Sequence, residues 1–342
     1  MSNNLASKYR PKTFDDVVEQ KLVVKMVKGM CEDPNLEVRN FLFVGPAGTG
    51  KTTLARIIAN ELNEGKGSPI EIDGASNNGI DSARQIISQA RQFPVGMKWK
   101  VFIIDECHAI SQAAWSAFLK TFEETPARTI FLMATTNPEK IPDTIISRVQ
   151  QFQLSKISLP GIENRLKYII EKENEEGQNI TYTDDAISFI AKMGNGGMRD
   201  SITLLEKAIS GDKNLTSESL VTSLGLPNYD DFFSLLSAYA SKNDENVAKI
   251  IDTVYNSGVN FSKWMIDFHS FIVNVMKYVL IKDISKTMVP AHYESKMSKY
   301  TSVHSVICLH LAQKLVKLNN ELKFSKYQQE LALTYLCNGT LK

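Results

Sequence analysis

The chain has 342 residues, of which 43% are hydrophobic, enough for a packed core and for two or three domains. Its 39 Lys and Arg side chains nearly balance 38 Asp and Glu, so the protein is no general polycation and any nucleic-acid surface must be local. The four cysteines form no CxxC pair, which disfavours a zinc site or a disulfide framework. The chain opens without an apolar signal segment, and its longest apolar run, 271–281, is too short to cross a bilayer. We therefore expect a soluble, intracellular protein.

Apolar runs and amphipathic stretches alternate through the first part of the chain. The predicted buried strands are FLFV 41–44, IEI 70–72, KVFIID 100–105, TIFLMATT 129–136 and VQQFQL 149–154. The predicted helices between them are 51–63, 79–92 and 111–124. This alternation predicts an α/β domain with a parallel sheet covered by helices.

The patterns beyond residue 159 are helical only. Glycines punctuate the segments from 160 to 225, and LGLPNYD at 224–230 is typical of a linker. In the helical region that follows, four leucines recur at steps of four and three residues, which predicts one buried helix face: Leu311, Leu315, Leu318 and Leu322. The sequence thus predicts an α/β plus all-α protein.

A phosphate-binding loop follows the first strand. GPAGTGKT at 45–52 matches G-x-x-x-x-G-K-[ST], and it lies between a predicted strand and a predicted helix, as the motif requires. Its glycines let backbone N–H groups turn toward phosphates, and the helix N-terminus adds partial positive charge. Lys51 is expected to reach the β- and γ-phosphates and Thr52 to bind Mg²⁺. The alternative, a Gly-rich turn that matches by chance, is disfavoured by this context.

Two acidic residues end a later strand, in VFIIDECH at 101–108. Asp105 at the strand tip can hold Mg²⁺, directly or through water. Glu106 can polarise the attacking water as a general base. Two ordinary surface acids are the alternative, but their combination with the phosphate loop favours nucleotide hydrolysis by positioning and electrostatics. His108 is interpreted as structural.

Further specific segments extend over nearly the whole chain. They are KYRPKTFDDVVEQ 8–20, IEIDGASNNGIDSARQI 70–86, DECHAISQAAWSAFLKTFEETP 105–126, ATTNPEKIPDTIISR 134–148, GNGGMRDSITLLEKAI 194–209 and ELKFSKYQQELALTYLC 321–337. Together they resemble the ATPase portion of the gamma/tau subunit of bacterial DNA polymerase III, the AAA+ motor of the sliding-clamp loader.

The resemblance implies three domains and a nucleotide site. It implies an AAA+ P-loop ATPase domain over 1–158, a helical lid over 159–226 and a helical collar for oligomerisation over 227–342. ATP and Mg²⁺ are the implied cofactors, with Thr52 and Asp105 as metal ligands. The implied nucleotide-binding residues border the adenine or surround the phosphates: Tyr9, Arg10, Pro11, Val17, Val18, Gly45, Pro46, Ala47, Gly48, Thr49, Gly50, Lys51, Thr52, Thr53 and Arg199.

The resemblance also assigns catalytic roles beyond Lys51, Asp105 and Glu106. Thr136 would be the first sensor of the γ-phosphate, and Arg199, in GMRD, the second sensor on the lid. Arg148, in SR, would be the arginine finger that reaches the ATP of the adjacent subunit. Such an arginine stabilises the transition state by about 10³–10⁵ in rate, and its supply by a neighbour would make hydrolysis depend on assembly. The alternative for Arg148 is a surface arginine paired with a carboxylate.

Candidate DNA contacts lie at the starts of two predicted helices. Asn77, Asn78 and Ser111 are small polar residues at helix N-termini, which suit phosphates, and Arg84 lies on the first of these helices. Helix capping and solvated charge are the alternative for all four, and capping does not exclude DNA contact. The apolar loop 92–99, which the resemblance would turn toward the clamp, either faces a partner or packs onto the sheet.

Two departures accompany the resemblance. Where the family usually inserts a four-cysteine zinc module, this chain has only LNEGKGSP at 62–69, so no zinc is predicted, and Val149 replaces the cysteine that usually follows the arginine finger. The implied function is the ATP-driven motor subunit of a clamp loader. It would load a sliding clamp onto primer-template DNA for the replicative polymerase, within a pentameric ring or spiral of clamp-loader subunits.

We expect this activity in the cytoplasm of a bacterium or of a virus-infected bacterium, without a membrane partner. Two other functions remain open from the sequence. The first is another AAA+ DNA ATPase, such as a helicase loader or a branch-migration motor. The second is a non-catalytic scaffold subunit of a clamp loader, although such subunits typically have a degraded phosphate loop.

Overall fold

The computed structural model describes residues 4–33 and 36–337. Its strands are β1 Asn40–Val44, β2 Ile70–Asp73, β3 Lys100–Asp105, β4 Thr129–Thr135, β5 Gln150–Gln153, β6 Thr181–Tyr182 and β7 Asn214–Leu215. Its helices are α1 Leu5–Lys8, α2 Lys21–Cys31, α3 Lys51–Leu62, α4 Ile80–Ala90, α5 Gln112–Glu123, α6 Asp143–Ile146, α7 Leu159–Glu175, α8 Asp184–Met193, α9 Met198–Gly211, α10 Ser217–Leu224, α11 Tyr229–Ala240, α12 Asp244–Asn256, α13 Phe261–Ile281, α14 Glu294–Met297, α15 Ser302–Leu322 and α16 Gln328–Leu336. The chain forms two compact units, Met1–Gly177 with Ile190–Glu206 and Gln178–Phe189 with Lys207–Lys342.

The first unit is built on a five-stranded sheet in the order β2-β3-β4-β1-β5, in which every neighbouring pair is parallel. Its central strands read as continuous apolar runs because both faces are covered. Phe41 and Phe43 point into an apolar cluster with α2 and α3, whereas Leu42 and Val44 point into a second cluster with α4 and α5. The predicted parallel α/β architecture is therefore confirmed.

The direction of the strands decides where chemistry can occur. Because β1, β3 and β4 run parallel, their carboxyl ends meet at one edge of the sheet. The segments that leave this edge include residues 45–50 after β1, Glu106 after β3 and Thr136 after β4. Groups that are distant in sequence are thereby brought to one place.

One part of the helical prediction is wrong. The short strands β6 and β7 pair in parallel inside the region whose patterns read as helical only. Each strand has two residues, and a run of this length carries no periodicity that distinguishes a strand from a loop.

The second unit contains a helical core formed by α11 to α16. The four leucines predicted to share one face of a helix all lie on α15 and are all buried.

Among the described residues, one helix, α13 with 21 residues, is long and apolar enough to span a membrane, and half of its most apolar window is buried. The apolar run 271–281 is the second half of this helix, which begins ten residues earlier than the run. Phe268, Ile272 and Val275 of α13 pack into the core of the unit.

Replacement of Leu315 by Ala should leave a cavity in this core. We expect the free energy of unfolding to fall by about 2–5 kcal/mol, measured by urea denaturation. Val316→Ala is the matched control, because Val316 is 48% exposed on the same helix and its truncation should change stability by less than about 0.5 kcal/mol. Equal losses from the two substitutions would contradict the placement of Leu315 in the core.

Candidate active site

The phosphate loop connects β1 to the N-terminus of α3. Gly48 and Gly50 adopt positive φ angles of 72° and 101°, a backbone conformation that residues with a Cβ rarely adopt. Lys51 is 6% exposed, and its Nζ donates to the carbonyl oxygens of Gly45 and Pro46, both at 2.8 Å. Burial lowers the pKa of this amine, while Glu106 and Asp105 oppose the shift. The loop therefore holds a buried cation at a helix N-terminus, an arrangement that attracts phosphate.

A hydrogen bond joins the phosphate loop to the acidic strand. Thr52 Oγ1 donates to Asp105 Oδ2 at 2.7 Å, so a hydroxyl and a carboxylate lie side by side. These hard oxygen ligands fit Mg²⁺, which usually takes one or two protein ligands and completes its shell with water and substrate phosphates. In the chain from 4 to 33 and from 36 to 337, no group of three or more His, Cys, Asp or Glu is arranged to hold a metal.

Glu106 is held in an uncommon backbone conformation, with φ 45° and ψ 41°. Its Oε2 lies 3.4 Å from Thr136 Oγ1 and 3.3 Å from His108 Nδ1. The same imidazole nitrogen lies 3.1 Å from Thr135 Oγ1. The candidate general base is therefore linked directly to the end of β4, where the candidate first sensor lies.

His108 is a residue whose position the sequence reasoning did not foresee. The sequence favoured a structural role for it, whereas the folded chain turns its ring toward the Glu106 carboxylate. The available signal was its spacing: after a strand end, residues two positions apart can face each other across a tight turn, here the 3₁₀ turn Cys107–Ala109.

Two glycine contacts bring the start of α9 to the phosphate loop. Met198 N–H donates to the Gly48 carbonyl at 2.9 Å. A Cβ on Gly48 would lie only 2.9 Å from the Gly197 Cα, so this approach of two backbones requires a glycine at position 48. Arg199 follows at once and is thereby placed beside the loop.

Most of the predicted nucleotide-binding residues line one cavity of about 270 Å³. These are Tyr9, Arg10, Pro11, Val17, Val18, Ala47, Gly48, Thr49, Gly50, Lys51, Thr52, Thr53 and Arg199. Asp105 and Glu106 line the same cavity, whereas Gly45, Pro46, Thr136 and Arg148 do not. Residues that the sequence did not single out also contribute to its wall: Ala6, Ile157, Arg165, Met198, Asp200 and Ile202.

The segment around Tyr9 is attached to helix α7. Tyr9 Oη donates to Glu173 Oε1 at 2.8 Å, and Lys8 Nζ donates to the same oxygen at 2.8 Å. Burial and the hydrogen bond to Glu173 raise the pKa of Tyr9 to about 12. Arg165 Nη2 donates to the Tyr9 carbonyl at 2.8 Å. Sequence reasoning missed Arg165 and Glu173, although charged residues on the apolar face of α7 were an available signal.

Arg148 lies apart from this cavity. Its Nε and Nη2 donate to Glu123 Oε1 at 2.9 and 2.5 Å, and its Nη1 donates to the Thr144 carbonyl at 2.6 Å. Arg148 is thus paired with a carboxylate of its own chain, the alternative that the sequence left open, and this pairing does not exclude contact with a neighbouring molecule because the side chain is partly exposed.

The four candidate DNA contacts are all exposed. Ser111 N–H donates to the Asn78 carbonyl at 3.0 Å, so the starts of α4 and α5 meet on one surface. Ser111 also caps α5 by accepting from Ala114 N–H, and Arg84 donates to Asp81 at 3.2 Å. Capping by Ser111 is therefore present, as expected, and leaves the surface open.

The apolar loop 92–99 divides between the two predicted alternatives. Phe93 and Val95 are 72% and 89% exposed. Trp99 instead packs against the apolar cluster beside α3, and its backbone exchanges two hydrogen bonds with the Asn63 side chain. The exposed pair is the part of the loop available to a partner.

Comparison with known proteins identifies the family. A family model described as "DNA polymerase III clamp loader subunit, ATPase lid domain" matches residues 161–212, and one described as "DNA polymerase III, delta subunit" matches residues 65–158. The DNA polymerase III subunit gamma of Buchnera aphidicola subsp. Baizongia pistaciae is 31% identical across 96% of this chain and 90% of its own length. This chain belongs to the DNA polymerase III gamma/tau family. The family assignment that the sequence motifs predicted is confirmed.

Longer gamma/tau relatives match over only part of their length. The DNA polymerase III subunit tau of Bacillus subtilis is 33% identical across 79% of this chain, and the match covers 51% of that subunit's own length. The match to the subunit tau of Salmonella typhimurium covers 44% of that subunit's length. The RuvB Holliday junction branch migration motor of Thermotoga maritima superposes with a TM-score of 0.53 at 21% identity, over 67% of this chain and 78% of that one. This structural likeness shows a shared AAA+ fold.

Tyr9→Phe should loosen the attachment of the segment around Tyr9 to α7. Burial alone would raise the pKa of Glu173, but its hydrogen bonds to Lys8 and Tyr9 outweigh burial and lower it. A lowered pKa contributes stability above the ordinary value of about 4.3, and this stability is lost as pH falls through the folded value. We expect Tyr9→Phe to cost about 1 kcal/mol at neutral pH and less as Glu173 becomes protonated.

Thermal denaturation between pH 3 and pH 7 measures this difference. Tyr168→Phe is the control, since Tyr168 lies on the same helix and is 42% exposed. A Tyr9→Phe effect that stays constant across this range would contradict the role of the Glu173 carboxylate.

Proposed function

We propose that this gamma/tau family member is the ATP-hydrolysing motor subunit of a sliding-clamp loader. The observation that carries the proposal is the convergence of the phosphate loop, the Asp105–Glu106 pair and Arg199 on one cavity. A chain of this family with all of these groups intact has the parts that phosphoryl transfer to water needs.

The proposed chemistry divides among four residues. Lys51 leaves the loop carbonyls for the β- and γ-phosphates, because charged oxygens attract an ammonium more strongly than neutral carbonyls do. Glu106 accepts a proton from the attacking water. Thr136, in contact with Glu106, reports the γ-phosphate, and Arg199 reaches the same nucleotide from the start of α9. Mg²⁺ held by Thr52 and Asp105 would neutralise developing phosphate charge.

Arg148 is proposed to serve the ATP of an adjacent subunit. Its place outside the cavity of its own chain, paired with Glu123 at the end of α5, supports a role in trans. The helical core of the second unit is the proposed collar that joins subunits, in a pentameric ring or spiral with other loader subunits. The proposed domain limits are 1–158, 159–226 and 227–342.

DNA and the clamp are the proposed macromolecular partners. Asn77, Asn78, Arg84 and Ser111 form an exposed polar surface at the starts of two helices, suited to phosphates without sequence reading. Primer-template DNA on this surface would order the subunits, and hydrolysis would release the closed clamp. The proposed location is the bacterial cytoplasm.

The branch-migration alternative is compatible with the fold but is disfavoured by the sequence comparison. A RuvB-like structure is compatible with both functions, so the fold does not discriminate between them. The gamma-subunit relatives extend over almost the whole chain. The scaffold alternative is disfavoured because Lys51, Asp105 and Glu106 all line the cavity.

Glu106→Gln should separate binding from hydrolysis. The amide keeps the shape of Glu106 but cannot accept the proton, so we expect ATP hydrolysis to fall by about 10²–10⁴-fold with ATP affinity retained. Lys51→Ala should lose nucleotide binding itself. Phosphate release and binding of a fluorescent ATP analogue measure the two properties, and wild-type hydrolysis by Glu106→Gln would refute the general-base role.

Arg148→Ala tests the dependence of hydrolysis on assembly. In the loader reconstituted with clamp and partner subunits, we expect primer-template DNA to stimulate hydrolysis by the wild type. Arg148→Ala should bind ATP normally but lose this stimulation, because the transition-state charge is no longer met across the interface. If the rate is indifferent to both DNA and Arg148, the trans role fails and only a generic AAA+ ATPase remains.

A further inference from the structure

The Arg148 guanidinium is held on two sides by its own chain. Of its five N–H donors, two go to a single oxygen, Oε1 of Glu123, through Nε and Nη2. Nη1 donates to the Thr144 carbonyl and, at 3.1 Å, to Ser147 Oγ. The orientation of the guanidinium plane is therefore determined in the folded chain before any neighbour arrives.

Glu123 and Arg148 both lie next to one buried apolar cluster. Glu123 is the last residue of α5, and Arg148 follows α6 by two residues. Phe118 and Phe122 of α5 pack in one buried cluster with Ile145 of α6, and the two phenyl rings stack with centroids 5.3 Å apart. A rigid cluster of this kind fixes the distance between the carboxylate and the guanidinium.

The two edges of the guanidinium differ in what holds them. A carboxylate holds the Nε–Nη2 edge, and hydrogen bonds to ionised groups are roughly twice as strong as those between neutral groups. A carbonyl and a hydroxyl, which are neutral, hold Nη1, and Thr144 and Ser147 are both exposed. Phosphate oxygens from outside can therefore replace the contacts of Nη1 while Glu123 keeps the other edge.

We propose that Glu123 is a positioning residue for the arginine finger. It presents the Nη1 edge of Arg148 to the γ-phosphate of the adjacent subunit and removes the rotamer search of a long side chain from the encounter. This inference rests on the proposed trans role of Arg148. If Glu123 instead held Arg148 back from the neighbouring nucleotide, removal of its carboxylate would raise the rate of ATP hydrolysis rather than lower it.

The test is steady-state ATP hydrolysis by the reconstituted loader, with and without primer-template DNA, for the wild type and six variants. Glu123→Ala should lower the DNA-stimulated kcat by about tenfold or more, since small misplacements of a catalytic group cost up to about 10²-fold. KM and the affinity for a fluorescent ATP analogue should not change. Glu123→Asp, which keeps the charge but retracts the carboxylate, should show a similar loss and guards against a folding defect in the alanine variant.

Rescue and control variants make the result specific. Glu123→Gln should retain part of the rate, because its amide oxygen can accept from both Nε and Nη2 but lacks the charge that strengthens these hydrogen bonds. Glu124→Ala is the matched control on the adjacent, exposed residue and should leave the rate unchanged. Glu123→Ala combined with Arg148→Ala should be no slower than Arg148→Ala alone, because a positioning residue has no effect without the group it positions.

The outcomes separate this inference from the function on which it rests. If Arg148→Ala keeps full DNA stimulation, the trans finger fails and Glu123 has nothing to position. If Arg148→Ala loses the stimulation while Glu123→Ala matches or exceeds the wild type, the finger stands and the positioning role is overturned. A loss in Glu124→Ala equal to that in Glu123→Ala would also overturn it, since the effect would then belong to the end of α5 in general.

Discussion

The parallel pairing of β1, β3 and β4 is the constraint on which the site depends. Each strand is buried on both faces, so a shift of its register would force the close-packed side chains on both faces to repack. The common direction brings the phosphate loop, the acidic pair and Thr136 to one edge of the sheet. The hydrogen bond between Thr52 and Asp105 then joins the two halves of the candidate magnesium site at 2.7 Å. Packing in the core thereby sets distances in the site.

Around this edge, contacts of the backbone help to place Arg199 and Tyr9 beside the phosphate loop. Gly197 approaches Gly48 closely enough to exclude a Cβ on Gly48, and this contact places Arg199 beside the loop. Tyr9 is held through its hydroxyl and its carbonyl by two residues of α7. A nucleotide in the cavity would touch all of these segments at once, which gives a physical route from nucleotide binding to the start of α9.

The fold and the family answer different questions. The likeness to RuvB shows that an AAA+ fold is present, and one fold can serve unrelated functions. Membership of the gamma/tau family rests on relatives that match nearly the whole chain. Arg148 lies away from the cavity and pairs with Glu123, and in the proposed function this residue links nucleotide hydrolysis to assembly.

Local patterns were sufficient for the parallel sheet, the phosphate loop, the acidic pair and the buried face of α15, because each is encoded in a short motif or a hydrophobic period. Two-residue strands such as β6 and β7 have no period and were missed. The partners of the functional groups were also missed: His108 beside Glu106, Glu173 and Arg165 around Tyr9, and Glu123 on Arg148. Except for His108, these contacts join residues 25 or more positions apart. Such pairs meet only when helices pack on the sheet, so the sequence by itself determined the chemistry available, and the tertiary structure decided which groups hold one another in place.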